Sequence, residues 1–207
     1  MPKKFYLIIK RLLDLCFALF LAILLLPVIL IIAALIKMDS RGPVLFKQRR
    51  TGYKGKEFEI WKFRSMMVDN DLRDEKGQDS YTRMGKILRI TSLDELPQLF
   101  NILMGQMSFV GPRPWVVEYY QNMNERERQR VSVRPGMTGL AQVKGRNGLS
   151  VFERIGYDLI YVEKCSFLLD AKIVMLTVKA VLMHKSAEAG RSGVRDDISS
   201  LKCRGSE

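Results

Sequence analysis

Asp94 and Glu95 are adjacent carboxylates in the run Ser92-Leu93-Asp94-Glu95, and the chain also supplies Lys62, Arg64, Arg89, Arg113, Arg134 and Arg146 as cations. Neighbouring carboxylates repel unless a cation lies beside them. Hard oxygen donors of this kind suit magnesium when it also binds a substrate phosphate, so the pair calls for Mg2+. Guanidinium forks match phosphate oxygens. An acidic pair, magnesium and a basic surround together describe phosphoryl transfer. A purely structural account competes, because Ser-x-x-Glu is also the spacing of a capping box that satisfies free amides at a helix start. A helix start in turn favours an ionised carboxylate, as a nucleophile or a magnesium ligand requires, so Ser92 can cap while Asp94 reacts.

These side chains need a scaffold, and the hydropathy pattern outlines one. Residues 44–48 and 58–64 are β-rich runs separated by Gly52 and Gly55, which reads as a hairpin. Alternation along the second strand sends Lys62 and Arg64 to one face, suited to a phosphate or diphosphate or simply solvated. Residues 69–80 read as a loop. Residues 83–90 form a short amphipathic helix with Arg83, Lys86 and Arg89 as a basic stripe, and residues 93–104 form another. Gly111-Pro112-Arg113-Pro114 interrupts regular structure before a helix over 115–130. The glycine-rich stretch 131–147 reads as loops and short extended pieces able to carry ligand contacts. Helices follow over 152–163 and 167–184, the second apolar enough to lie at a membrane interface or pack on the N-terminal segment. From residue 186 the composition predicts a mobile polar tail.

Residues 15–36 carry no charge and meet the roughly 20 residues that span a bilayer core. A cleavable signal peptide fits poorly, because the apolar run is too long and no small-x-small site precedes Lys37. Lys3, Lys4, Lys10 and Arg11 precede the run, and Lys37, Arg41, Lys47, Arg49 and Arg50 follow it, so both flanks read as cytoplasmic. Pro27, near the middle, can bend the helix there. Two models follow: a re-entrant helix-break-helix, or a single span with a proline kink. Asp14 has a local reading, an ion pair with Lys10 or Arg11 at the interface. The resulting plan is a membrane element over 1–40, a catalytic domain over 41–185 and a tail over 186–207.

A net charge of +12 calls for an anionic partner: nucleic acid, acidic lipid or a phosphorylated substrate. Nucleic acid fits least, since the basic stripe of residues 83–89 has no aromatic within it for base stacking. Three scattered cysteines suit a reducing compartment rather than a disulfide framework. With His184 the only histidine and no CxxC, zinc has no ligand set.

Four motifs taken in order resemble the bacterial sugar transferases, the monotopic phosphoglycosyl transferases that start glycoconjugate assembly on undecaprenyl phosphate. They are Lys62-Phe63-Arg64-Ser65-Met66, Ser92-Leu93-Asp94-Glu95-Leu96-Pro97-Gln98-Leu99, Met107-Ser108-Phe109-Val110-Gly111-Pro112-Arg113-Pro114 and Arg134-Pro135-Gly136-Met137-Thr138-Gly139. The likeness runs from the membrane segment to about residue 173 and beyond, and the length resembles the members that consist of the catalytic core alone.

The resemblance implies a mainly helical α+β fold with a re-entrant membrane helix broken at Pro27, sited on the cytoplasmic face of the bacterial inner membrane. It implies a two-step reaction. Asp94 attacks the sugar-bearing phosphate of a UDP-sugar, UMP leaves, and polyprenyl phosphate takes the phosphosugar from the carboxylate. Glu95 helps Asp94 hold magnesium. Lys62, Arg64, Arg89 and Arg113 resemble phosphate-binding residues, and Arg134, Gly145, Arg146 and Asn147 a segment near the nucleotide or sugar. One departure is Leu26, where many members carry serine before the membrane proline, so the means of stabilising the break stays open. A nucleotide-sugar hydrolase using the same pair, or a membrane-tethered binding module, remains as an alternative. The sugar, the pathway and the oligomeric state, a homodimer included, are not legible.

Overall fold

The N-terminal apolar run folds as two helices, α1 (Lys3–Leu24) and α2 (Leu26–Asp39), that meet at 60° in a computed structural model describing residues 3–67, 81–145, 148–182 and 194–203. No single helix among the described residues is long and apolar enough to cross a membrane, but this bent pair passes on length and composition together. Pro27 sits in the first turn of α2, where its missing N–H costs no intrahelical bond. The break is therefore a new helix start rather than a kink inside one helix. Leu25 still donates to Leu21 at 2.8 Å and accepts from Ile29 at 2.8 Å, so backbone bonding continues on both sides of the bend with leucine at position 26.

Only a narrow stripe of α1 is covered. Tyr6, Asp14, Ala18 and Ala22 recur at helical spacing, and the small alanines let the helix lie close against Phe58, Ile60, Leu99, Ile102 and Met107. The rest of the pair presents Phe5, Phe17, Phe20, Ile23, Leu30 and Ile31 outward, with α9 (Phe167–Leu182) adding Phe167, Leu168 and Met175. Apolar surface on this scale marks an interface.

β1 (Leu45–Thr51) and β2 (Glu57–Phe63) form the expected antiparallel hairpin, with Phe46 opposite Lys62. Asn101, fully buried on α4 (Gln98–Leu103), accepts from the Trp61 amide at 3.0 Å and donates to the Glu59 carbonyl at 2.7 Å, which locks the helix to the strand beside Lys62. α3 (Arg83–Thr91) is the amphipathic helix expected, capped by the Thr82 hydroxyl and started also by Asp39, whose carboxylate accepts from Met84 N–H at 3.0 Å.

Two short parallel strands, β3 (Ser108–Val110) and β4 (Gly136–Thr138), join the two glycine-proline motifs. A Cβ on Gly136 would lie 2.1 Å from the Gly111 amide nitrogen, so the crossing admits only glycine there.

The expectations differ from the fold in several places. Residues 93–104 are not one helix: a 3-10 turn, Leu93–Glu95, precedes Pro97 and α4. Residues 115–130 divide into α5 (Val117–Gln121) and α6 (Glu125–Arg128), because Asn124 takes the amide of Glu127 and starts a fresh helix with a full capping box. Residues 131–147 hold a helix, α7 (Leu140–Gly145), besides the strand. α8 (Val151–Lys164) and α9 follow as expected. The tail is not featureless, since α10 (Val194–Cys203) packs Ile198 and buried Leu201 against Trp115, Tyr119 and Ile155. The loop expected over 69–80 lies outside the described residues. Asp14 does pair with Lys10, at 3.9 Å, but it is buried and also accepts from the Phe109 amide at 3.4 Å, so it ties α1 to β3 rather than standing at a surface.

Candidate active site

α3 ends at Ser92, whose left-handed backbone (φ 59°) reverses the chain into the turn carrying Asp94 and Glu95. Ser92 therefore makes no side-chain cap, and the capping-box expectation fails. A residue in that conformation cannot be an extended N-cap, and Glu95 is engaged elsewhere. Its Oε1 accepts from Lys62 Nζ at 2.7 Å and from Arg113 Nη2 at 2.8 Å. Asp94 is held more loosely, with Oδ2 3.9 Å from Lys62 Nζ.

Three separate elements thus meet: Lys62 on β2, the acidic pair on the turn after α3, and Arg113 in the turn after β3. Burial pushes Glu95 toward protonation, but the Arg113 and Lys62 charges beside it prevail and hold its carboxyl well below the usual range. Burial raises Asp94, Lys62 opposes that rise, and the negative charge of Glu95 reinforces it. Burial also lowers the Lys62 ammonium, while the Glu95 charge raises Arg113. The two carboxylates are therefore unequal: one is locked as an anion in an ion triad, and the other is a desolvated carboxylate with no protein hydrogen bond among the described residues.

Both bonds to Glu95 fall on the same oxygen, leaving Oε2 of Glu95 and the carboxylate of its chain neighbour Asp94 as hard donors. Among the described residues no group of three or more His, Cys, Asp or Glu gathers to hold a metal. Magnesium does not need such a cage, being held by one or two carboxylates together with substrate phosphates, so the pair fits it.

Of the other expected residues, Arg89 lies over the Tyr81 ring at 4.6 Å, hydrogen-bonds the Tyr81 hydroxyl and adds its positive field to Asp94. Arg64 is elsewhere. β2 ends at Phe63, so strand alternation no longer applies, and the buried Arg64 guanidinium turns to the end of α2, bonding the Ser40 carbonyl at 2.9 Å, the Ser40 hydroxyl at 2.8 Å and the Arg41 carbonyl. The expected shared face of Lys62 and Arg64 does not form. Arg134 also stands apart, donating to the Gly105 carbonyl at 3.0 Å at the far end of α4, with its guanidinium 5.3 Å over Tyr53. Gly145 closes α7, which packs mainly on α8 and α9. Arg146 and Asn147 lie outside the described residues.

Arg64→Lys keeps the charge but loses the planar fork that grips several acceptors at once. The thermal midpoint is expected to fall by several degrees, because the contacts that hold the end of β2 to the end of α2 are lost. An unchanged melting curve would mean that the fork does not hold these two elements together.

Sequence reasoning missed Asn101 and the Arg130–Asp158 pair. Asn101 showed itself only as a polar residue inside an apolar helical pattern. Arg130 was hidden at the end of a charged run, and its salt bridge to Asp158, 2.6 Å long and wholly buried, joins residues 28 apart.

Fold and site define a small helical α+β domain that hangs a cation-clamped carboxylate pair beside a bent apolar helix pair, an arrangement suited to phosphate esters. The chain belongs to the bacterial sugar transferase family, whose model matches residues 5–184. It is 45% identical over 192 residues to the UDP-glucose:undecaprenyl-phosphate glucose-1-phosphate transferase of Klebsiella pneumoniae, covering 87% of this chain but 41% of that protein. It is 42% identical to the uncharacterized sugar transferase EpsL of Bacillus subtilis (strain 168), covering 87% of this chain and 91% of the relative. With the exopolysaccharide production protein PSS of Rhizobium leguminosarum bv. phaseoli the identity is 41%, over 85% and 96% of the two chains.

Proposed function

We propose that this protein transfers a sugar 1-phosphate from a UDP-sugar to undecaprenyl phosphate, through a phosphosugar carried on Asp94. The observation that carries the reading is the inequality of the acidic pair. Glu95 is neutralised by Lys62 and Arg113, whereas Asp94 is desolvated and keeps, among the described residues, only a 3.9 Å ion pair with Lys62, which leaves its oxygens available to attack. The names of the relatives support the donor and acceptor classes.

In the first step an Asp94 oxygen attacks the sugar-bearing phosphorus, the bond from that phosphorus to the bridging oxygen breaks, and UMP departs with the electron pair. In the second, an oxygen of the lipid phosphate attacks the same phosphorus, and the bond to Asp94 breaks to give polyprenyl diphosphate sugar. Lys62 and Arg113 offer charge to the phosphate oxygens, and Arg89 does so from the end of α3. Mg2+, held by Asp94 and Glu95 with substrate phosphate, would supply neutralisation of the diphosphate. Splitting one displacement into two lets a single carboxylate serve both substrates.

A lipid acceptor requires a membrane, and the bent α1–α2 pair serves as a re-entrant element with both basic flanks on the cytoplasmic face of the inner membrane. Its outward phenylalanines, leucines and isoleucines would meet acyl chains, as would those of α9. Labelling of single cysteines placed in the two flanks tests this: modification from opposite faces removes the re-entrant model.

The activity is tested by UMP release from a panel of UDP-sugars in nanodiscs with magnesium. Release beyond one equivalent that requires undecaprenyl phosphate and yields lipid-linked sugar supports the transferase. Free sugar phosphate made without lipid means a hydrolase, and no turnover leaves a binding module.

The pH profile follows from the electrostatics. Asp94 must be ionised to attack, and burial raises its pKa, so activity is lost as pH falls through a point above the ordinary aspartate value. Lys62→Met removes the main opposing charge. The acid limb of its residual kcat/KM is expected to move to higher pH, and a limb that stays or moves down would count against Asp94 as the titrating group.

A further inference from the structure

α10 begins ten residues past residue 184, where the family match ends, yet it is tied to the turn that delivers Arg113. Asp197, 4% exposed, accepts from the Tyr119 hydroxyl at 2.7 Å and from Arg154 Nη2 at 2.5 Å. Arg154 lies 5.4 Å from the centre of the Trp115 ring, and Arg130 lies 4.1 Å from it. Arg130 in turn donates to the Arg113 carbonyl at 2.8 Å while paired with Asp158. The Trp115 carbonyl accepts from Thr51 N–H at 2.9 Å. Only Pro114, with its fixed φ, separates Trp115 from Arg113, so a shift at the tryptophan passes to the arginine with little slack.

Leu201 and Ile198 dock the helix by apolar burial against Trp115, Tyr119 and Ile155. A buried carboxylate adds little net stability once its desolvation is counted, and such groups are better explained by the geometry they impose. Asp197 imposes the orientation of Tyr119 and Arg154, the two side chains that bracket Trp115 from the α10 side; Trp115 and Tyr119 themselves meet with ring centres 4.7 Å apart.

We propose that α10, acting through Asp197, is a positioning element for Arg113, holding the Arg113-Pro114-Trp115 turn so that the guanidinium meets Glu95. The inference rests on the transferase reading for its activity readout alone.

The test compares full-length wild type, Asp197→Asn and Asp197→Ala. With the preferred donor and undecaprenyl phosphate, kcat is expected to fall about tenfold in Asp197→Ala, less than the roughly hundredfold of a full 1 Å misplacement. In an Arg113→Lys background the same change should cost much less, since the interaction it supports is already impaired. Hydrogen exchange should quicken in peptides covering residues 113–116 and 93–95, not only in α10. Unchanged kcat, an equal loss in both backgrounds, or faster exchange confined to residues 194–203 would each overturn the proposal. If Asp197→Ala does not fold, Asp197→Asn, which keeps the volume and loses the charge, carries the same comparisons. Wild-type protein that releases no UMP from any donor defeats the transferase reading, and the exchange data then decide the role of α10 by themselves.

Discussion

Asp94→Asn is expected to lower transfer by on the order of 10^4-fold or more, the scale seen when a covalent nucleophile is removed. The amide has nearly the carboxylate's shape, and Asp94 contributes only a 3.9 Å ion pair, so the fold should be kept. Intact-mass measurement makes the result specific. Wild-type protein incubated with its UDP-sugar and no lipid should gain the mass of one phosphosugar and release one equivalent of UMP, and Asp94→Asn should gain nothing. A variant that still becomes labelled, or that turns over near the wild-type rate, removes Asp94 from the nucleophile's role.

Glu95→Gln acts by a different route and is expected to cost about 10^2- to 10^3-fold in kcat, comparable to loss of one strong electrostatic contact at a reacting centre. Glu95 is the shared anion of Lys62 and Arg113, both bonded to one oxygen. Removing its charge leaves two cations facing each other and only one carboxylate for the metal. The magnesium concentration giving half-maximal activity should therefore rise, while phosphosugar labelling of Asp94 slows but still occurs. Loss of labelling with unchanged magnesium dependence would reverse the division of roles between the two acids.

These two expectations depend on contacts with different degrees of visibility in the chain. The acidic pair is legible from residue type and adjacency, Lys62 and Arg113 stand among six candidate cations and are singled out by the family resemblance, and the structure brings all four together. The hairpin, α3, α8 and α9 were legible because each buries a face whose period is written in consecutive residues. Arg64 was misplaced by the same logic: alternation holds only while the strand lasts, and β2 stops one residue earlier. Ser92 departs from the capping-box expectation because a left-handed residue at a helix junction leaves no periodic trace, and Ser-x-x-Glu fits a cap only when the serine is extended. α10 looks like a tail in sequence because its ten residues are mostly polar, and it is held by a few contacts to residues 43 to 86 positions away, such as Asp197 with Arg154 and Leu201 in one cluster with Trp115.

Local sequence specifies the apolar helix pair and its proline, the order of the hairpin and helices, and the residue types gathered for phosphate chemistry. These are local properties, set by hydropathy period, by the fixed φ of proline and by the acidity of side chains. The tertiary structure decided which acid is neutralised and which is left to react. Lys62 and Arg113 reach Glu95 from 33 and 18 residues away, through a strand pinned by Asn101 and a turn anchored by Arg130. In sequence the two acids are adjacent and almost alike. Their difference arises from distances of 2.7 and 2.8 Å that exist only once separate elements have packed, because electrostatic attraction depends on separation in space and burial, and neither is encoded in separation along the chain.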